Sequence, residues 1–106
     1  MAQVRYDFTA ADTLSGSLRY FSTMLTNLAE ERERLRRTRL DAVDAGPDTV
    51  AWTGGRRRAF DKDFRAQQDK VAELARQALA IKGLVDEATI AARNELNAQA
   101  KANHGG

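Results

Sequence analysis

Residues 45–55, AGPDTVAWTGG, are the strongest break in the chain. Glycine readily adopts the left-handed conformation that ends a helix, and proline cannot continue one, so Gly46 and Pro47 predict a helix end. Gly54 and Gly55 let the backbone reverse before a second element starts. We therefore predict a turn over residues 45–55 with a helix on either side.

A regular apolar stripe precedes this turn. Its members are separated by four and three residues in alternation, with one position skipped at Arg32, which is the pattern of a packed helix. The stripe comprises Leu14, Leu18, Phe21, Leu25, Leu28 and Leu35. Because Thr9 or Asp12 can cap a first turn, we predict a helix over about residues 12–44. Residues 1–8 form either a short extended arm or a frayed end whose aromatic rings pack against the helices.

A second stripe follows the turn and predicts a longer helix over about residues 56–100. It comprises Phe60, Phe64, Gln67, Val71, Leu74, Ala78, Ile81, Val85, Ala88 and Ala92. Gly83 lies off the stripe and costs about 1 kcal/mol relative to alanine, so it marks a bend or a close helix crossing. Residues 101–106, KANHGG, are predicted to be a disordered tail.

Two long helices joined by one short connection predict an all-α fold, an antiparallel two-helix hairpin in a single domain over residues 1–106. The second helix also carries a weaker apolar strip, which helical geometry places opposite the main stripe. This strip consists of Ala72, Ala75, Leu79 and Ile90. A helix that is apolar on two faces needs neighbours on two sides, so we predict a dimer that forms a four-helix bundle. The pattern leaves open whether the partner is a second copy or a different chain.

The predicted partner-binding surface is made of the large residues of both stripes. They are Leu14, Leu18, Phe21, Leu25, Leu28, Leu35, Phe60, Phe64, Val71, Leu74, Ile81 and Val85.

The composition argues against catalysis. The sequence contains no cysteine and one histidine, His104, which stands near the end of the predicted tail. It has no glycine-rich phosphate loop and no cluster with metal-ligand spacing. We therefore expect no enzyme activity, no cofactor and no metal site. The apolar runs are too short for a membrane span, and MAQVRYDFTAAD lacks the apolar core of an ordinary signal peptide.

The turn carries a motif, Trp52-Thr53-Gly54, and an aromatic residue, Phe60, follows near the start of the second helix. With a length of 106 residues and two heptad helices, this layout resembles the WXG100 (ESAT-6-like) family of type VII secretion proteins. The resemblance implies a helix–turn–helix hairpin that dimerises, with the turn contributing to recognition for export. It also implies export from the cytoplasm by a route that needs no signal peptide. Packing at the hairpin end is the simpler role for Trp52.

One family feature is missing, the C-terminal Tyr-x-x-x-Asp/Glu signal, since no tyrosine follows Tyr20. The resemblance therefore implies a chain that is exported together with a partner carrying that signal. Alternatively, the chain accompanies a toxin whose N-terminal helices complete the bundle.

Basic residues are the basis of an alternative reading. Arg56, Arg57 and Arg58 open the second helix, where cations oppose the helix dipole, so they serve either partner contact or a solvated surface. Together with the arginines of residues 32–39 they suggest an Arg-rich nucleic-acid-binding protein. Against this, glutamates at positions 30, 31 and 33 interleave with the first cluster, and the net charge is only +2. A membrane-surface helix is disfavoured because its polar face mixes both signs.

Overall fold

The computed structural model describes residues 5–45 and 55–104, with side chains described for all of these except residues 41–45 and 104. It contains two helices, α1 at Phe8–Ala45 and α2 at Gly55–His104, and no strand within the described residues. The predicted all-α class and the two-helix hairpin are confirmed. The centre of the predicted turn, with Trp52-Thr53-Gly54, lies outside the described residues.

Helix α1 begins four residues earlier than the pattern predicts, because Asp7 supplies the cap. Its carboxylate accepts a hydrogen bond from the backbone N–H of Ala10 at 2.9 Å. Its backbone carbonyl accepts one from Ala11 at 3.0 Å, the first bond of the helical ladder. Thr9 and Asp12, the predicted caps, instead lie inside the first turns of the helix.

Helix α2 ends four residues later than predicted. No glycine or proline interrupts the chain between residue 100 and Gly105, and the intervening residues tolerate helix well. Residues 101–104, assigned from sequence to a disordered tail, are therefore helical.

The chain forms two compact units. Met1–Phe21 and Gln77–Gly106 make up one, here called the terminal unit, and Ser22–Arg76 make up the other, the turn-side unit. Each unit contains a segment of α1 packed antiparallel against a segment of α2.

In the turn-side unit, polar side chains connect the two helices at regular intervals. Ser22 bonds to Ala75, Ala29 to Gln68 and Arg36 to Asp61. Each step of seven residues forward in α1 is matched by seven residues backward in α2. The three contacts thus use the same heptad position throughout each helix. They define the register of α1 against α2 in this unit.

Four of the described residues are buried, of which three are small and the fourth is Leu40, at 7% exposed. Ser22 is 5% exposed and Ala75 is 7% exposed, both in the turn-side unit, while Ala78 in the terminal unit is 4% exposed. Among the described residues, no large side chain is fully buried. Small side chains let two helices approach closely, but they bury little apolar area in doing so. Most of the large apolar side chains therefore remain in contact with solvent.

In the terminal unit, residues before α1 pack against α2. The hydroxyl of Tyr6 shares a hydrogen bond of 2.6 Å with that of Thr89. The Tyr6 and Phe8 rings meet edge to face at 5.0 Å, and the Arg93 guanidinium lies 4.9 Å from the centre of the Phe8 ring. For residues 5–8, the described part of residues 1–8, the structure supports aromatic rings that pack against the helices.

Gly83 does not lie at a close helix crossing. A Cβ atom added there, or at Gly16 in α1, would meet no atom within 4 Å. Neither glycine is therefore required by packing.

Candidate partner-binding surface

The predicted stripe of α2 divides into two rows. Every second member is buried or half-buried against α1, namely Phe64, Val71, Ala78, Val85 and Ala92. The members between them are exposed, namely Phe60, Gln67, Leu74, Ile81 and Ala88. The residues in each row are seven apart in sequence.

Helix α1 divides in the same way. Leu18 and Leu25 are half-buried. The remaining members of its stripe are exposed and again seven apart, namely Leu14, Phe21, Leu28 and Leu35. Each is between 45% and 50% exposed, so each keeps about half of its surface available to a partner.

The division arises because the centre of the helix contact lies to one side of the predicted stripe. Ser22, Ala75 and Gln68 occupy that centre, and none of them belongs to the stripe of large apolar residues. Sequence reasoning missed Ser22 and Gln68 because they are polar, and it assigned Ala75 to the weaker strip on the opposite face. A recurrence of small residues at heptad spacing, as at Ser15, Ser22 and Ala29, was the available signal.

The weaker strip predicted on the opposite face of α2 is not a single surface. Ala75 is buried and Ala72 is half-buried, whereas Leu79 and Ile90 are exposed. The spacing placed these residues together, but only the two alanines are buried or half-buried. The prediction of a second apolar face is thus wrong for Ala72 and Ala75, because neither is exposed.

The exposed rows of the two helices border a shared groove in the turn-side unit, here called the arginine groove. Its volume is about 400 Å³. It is lined by Arg32, Leu35, Arg36, Arg39, Leu40, Phe60, Phe64 and Gln67. All three charged groups in this lining are guanidinium groups, and the remainder is apolar except for one amide.

Two of these arginines are held in place by their neighbours. The guanidinium groups of Arg32 and Arg36 lie 5.5 Å and 5.3 Å from the centre of the Phe64 ring. Arg32 also donates a hydrogen bond to the amide oxygen of Gln67. The carboxylate of Asp61 accepts a hydrogen bond from Arg36 and thereby raises the pKa of its guanidinium group.

A second groove of the turn-side unit has a different character. It measures about 390 Å³ and mixes both charge signs. Its lining is Ala29, Glu30, Glu33, Arg36, Asp61, Phe64, Arg65 and Gln68. The unit therefore has one apolar and cationic groove and one mixed polar groove.

The terminal unit has an apolar groove of its own, of about 380 Å³. It is lined by Tyr6, Asp7, Ala10, Ala11, Leu14, Ile81, Leu84, Val85 and Ala88. This groove is thus lined by residues from both exposed rows, among them Leu14 on α1 and Ile81 on α2. Leu35 and Phe60 line the arginine groove in the same way.

The cluster Arg56, Arg57 and Arg58 does not form a uniform cationic surface. Arg57 is half-buried, while its two neighbours are exposed. Arg58 borders a shallow depression together with the carboxylates of Asp61 and Asp69.

Within residues 5–45 and 55–104, no group of three or more His, Asp or Glu side chains is arranged to hold a metal ion. Neither helix has, over the same residues, a segment long and apolar enough to cross a membrane. In comparisons with known proteins, the chain matches no family model, and it matches no curated protein or solved structure.

Proposed function

We propose that this chain is a non-enzymatic WXG100-like protein of a type VII secretion pathway, and that it works by binding a helical-hairpin partner. The observation that carries the proposal is the pair of exposed apolar rows on α1 and α2. In this proposal the two hairpins form a four-helix bundle, and the dimer is what the secretion machinery recognises.

The exposed surface supports a requirement for a partner. The chain exposes 8644 Å². A compact monomer of 11.7 kDa exposes about 5,900 Å² by the usual scaling of surface with mass. Apolar side chains contribute to the difference, because thirteen large hydrophobic residues in the described part of the chain are at least 38% exposed. Exposed apolar area of this extent is typical of interaction surfaces.

The proposal of secretion is based on the sequence motif. Trp52-Thr53-Gly54 stands between two heptad helices in a chain of 106 residues, as the family resemblance requires. Since the Tyr-x-x-x-Asp/Glu signal is missing, the chain takes the role of a co-exported partner or chaperone. Its own partner is either another WXG100-like chain or the helical N-terminal region of a toxin.

The test is co-expression with the protein encoded by the neighbouring small open reading frame, followed by light scattering on the purified material. A stable complex with the mass of one copy of each chain is the expected result. A well-folded monomer that unfolds sharply without a partner would contradict the proposal.

A second candidate, binding to nucleic acid, is favoured by one observation. Residues 30–39 and 56–65 together contain ten basic and five acidic side chains. Several of these arginines already pair with carboxylates of the same surface, as Arg34 does with Glu31 and Arg37 with Glu33. A DNA mobility shift that weakens as salt rises would support this candidate, and no shift at low salt would exclude it.

A further inference from the structure

We infer that the arginine groove receives an acidic amphipathic helix of a different protein, and not a second copy of this chain. The inference rests on the proposed function and specifies the chemistry of its partner. It follows from the charges that surround the exposed apolar rows.

The groove offers an apolar floor with cations beside it. Leu35 on α1 and Phe60 on α2 stand on either side, and their exposed fractions are 45% and 38%. Arg32 and Arg39 lie on the same stretch of α1, one turn to either side of Leu35. A helix laid in this groove by its apolar residues therefore brings its flanking side chains near two guanidinium groups.

A second copy does not supply the matching charge. In the turn-side unit, the positions three or four residues from a member of the exposed rows carry five cations and two carboxylates, namely Arg32, Arg39, Arg56, Arg57, Lys70, Glu31 and Asp63. Glu31 is already paired with Arg34. In the terminal unit, the corresponding positions are uncharged, namely Ala10, Ser17, Gln77, Leu84 and Ala91. A copy of this chain would thus meet the arginines mainly with cations in the turn-side unit, and with a single carboxylate, Asp7, in the groove of the terminal unit.

The sequence of the partner helix follows from this geometry. Apolar residues at spacings of three and four fill the groove, and Glu or Asp at the adjacent heptad positions reach the guanidinium groups. Arginine pairs with carboxylates through two parallel hydrogen bonds, so these contacts add orientation as well as attraction. Complementary charge also disfavours pairing with a second basic hairpin.

The test uses the full chain and three designed helical peptides of about three heptads each. The peptides share the same leucine positions and carry Glu, Lys or Gln beside them. Binding is measured by fluorescence anisotropy of labelled peptide, at low and at high salt. We expect the Glu peptide to bind at least about tenfold more tightly than the Lys peptide at low salt, with a smaller ratio at high salt.

Two double variants localise the effect. R32E with R39E should reverse the preference in favour of the Lys peptide. R65E with R76E makes the same change of charge in the same unit, but Arg65 lines the mixed polar groove and Arg76 pairs with Glu73. This control should keep the preference for the Glu peptide. Should the first double variant lose its helical circular dichroism, R39E alone replaces it, since Arg39 is exposed.

Three results would overturn the inference. The first is equal affinity of the chain for the Glu and Lys peptides, and the second is failure of the Glu peptide to bind. The third is a homodimer that L35D dissociates but R39E leaves intact. Equal affinity for all three peptides would reject the preference for an acidic partner helix. The proposal that the chain binds a helical partner would remain. The proposed function fails separately, if co-expression yields no complex and no peptide binds.

Discussion

The hydroxyl of Ser22 donates a hydrogen bond of 3.0 Å to the backbone carbonyl of Ala75, at a point where both residues are almost fully buried. A polar side chain of this size does two things at a helix crossing. It lets the backbones approach closely, and it satisfies its own hydroxyl without water. The hairpin is therefore closed by a small polar contact, while the large apolar side chains lie beside it and remain available.

Replacing Ser22 with leucine should destabilise the chain. The larger side chain forces the helices apart against Ala75, and overpacking of this kind costs about 1–3 kcal/mol. Urea unfolding followed by circular dichroism measures the effect. The same change at Ser17, which is exposed on α1, should alter the free energy of unfolding by no more than about 0.5 kcal/mol. Equal effects at the two positions would contradict the packing described for Ser22.

Replacing Leu74 with aspartate should abolish association with the partner. Leu74 belongs to the exposed row of α2 and is 48% exposed, so a carboxylate there enters the proposed interface. Leu79 is 49% exposed on the same helix but outside the rows, which makes L79D a matched control. Light scattering on the complex gives the mass directly. An unchanged mass for L74D would refute the assignment of this row.

Replacing Gly83 with alanine should stabilise the chain by about 1 kcal/mol. Alanine loses less conformational freedom than glycine when the helix forms, and the added methyl group meets no atom within 4 Å. Gly16 offers an independent repetition of the same change in α1. Thermal unfolding of the two variants is the measurement. A loss of stability in G83A would show that the glycine serves a contact with another molecule or a bend.

Removing Lys82 should raise the pKa of Asp86. The Asp86 carboxylate accepts hydrogen bonds from Lys82 at 2.6 Å and from Ser15 at 2.6 Å, and these contacts, led by Lys82, lower its pKa. A lowered pKa in the folded state means that the carboxylate stabilises the fold above its unfolded-state pKa. That contribution is lost as the pH falls through the folded-state value.

The measurement for Asp86 is a carboxyl titration by NMR in the wild-type chain, K82Q and S15A. We expect the pKa to rise in both variants, and to rise more in K82Q. If the pKa of Asp86 is identical in all three proteins, the contacts described for it in the terminal unit are contradicted.

The helices themselves were predictable, because heptad spacing depends only on which residues are apolar. The direction in which each residue of the stripe points was not predictable in the same way. Large residues such as Leu74 and Leu28 define the pattern, yet the contact between α1 and α2 is centred on Ser22, Ala75 and Gln68. Two helix backbones approach closely where the side chains between them are small or can form hydrogen bonds. A pattern of apolar residues does not identify these positions.

The helix ends illustrate a second limit of the pattern. The sequence predicts Thr9 or Asp12 as the cap of the first helix, whereas Asp7 caps it in the structure. The contacts of Tyr6 with Thr89 hold the chain just before Asp7 against α2, so the local position of the cap depends on a residue distant in sequence. Trp52-Thr53-Gly54, on which the proposal of secretion relies, stays a prediction from sequence.

The polar contacts of the turn-side unit have a consequence for the uniqueness of the fold. A purely apolar heptad interface is nearly degenerate, because sliding one helix past the other by seven residues restores much the same pattern. Such a shift would separate Ser22 from Ala75, and it would leave the half-buried Arg36 without the Asp61 carboxylate. Sparse polar side chains therefore select one alignment among several of similar hydrophobicity. In the proposed complex, that selection determines which side chains the partner meets.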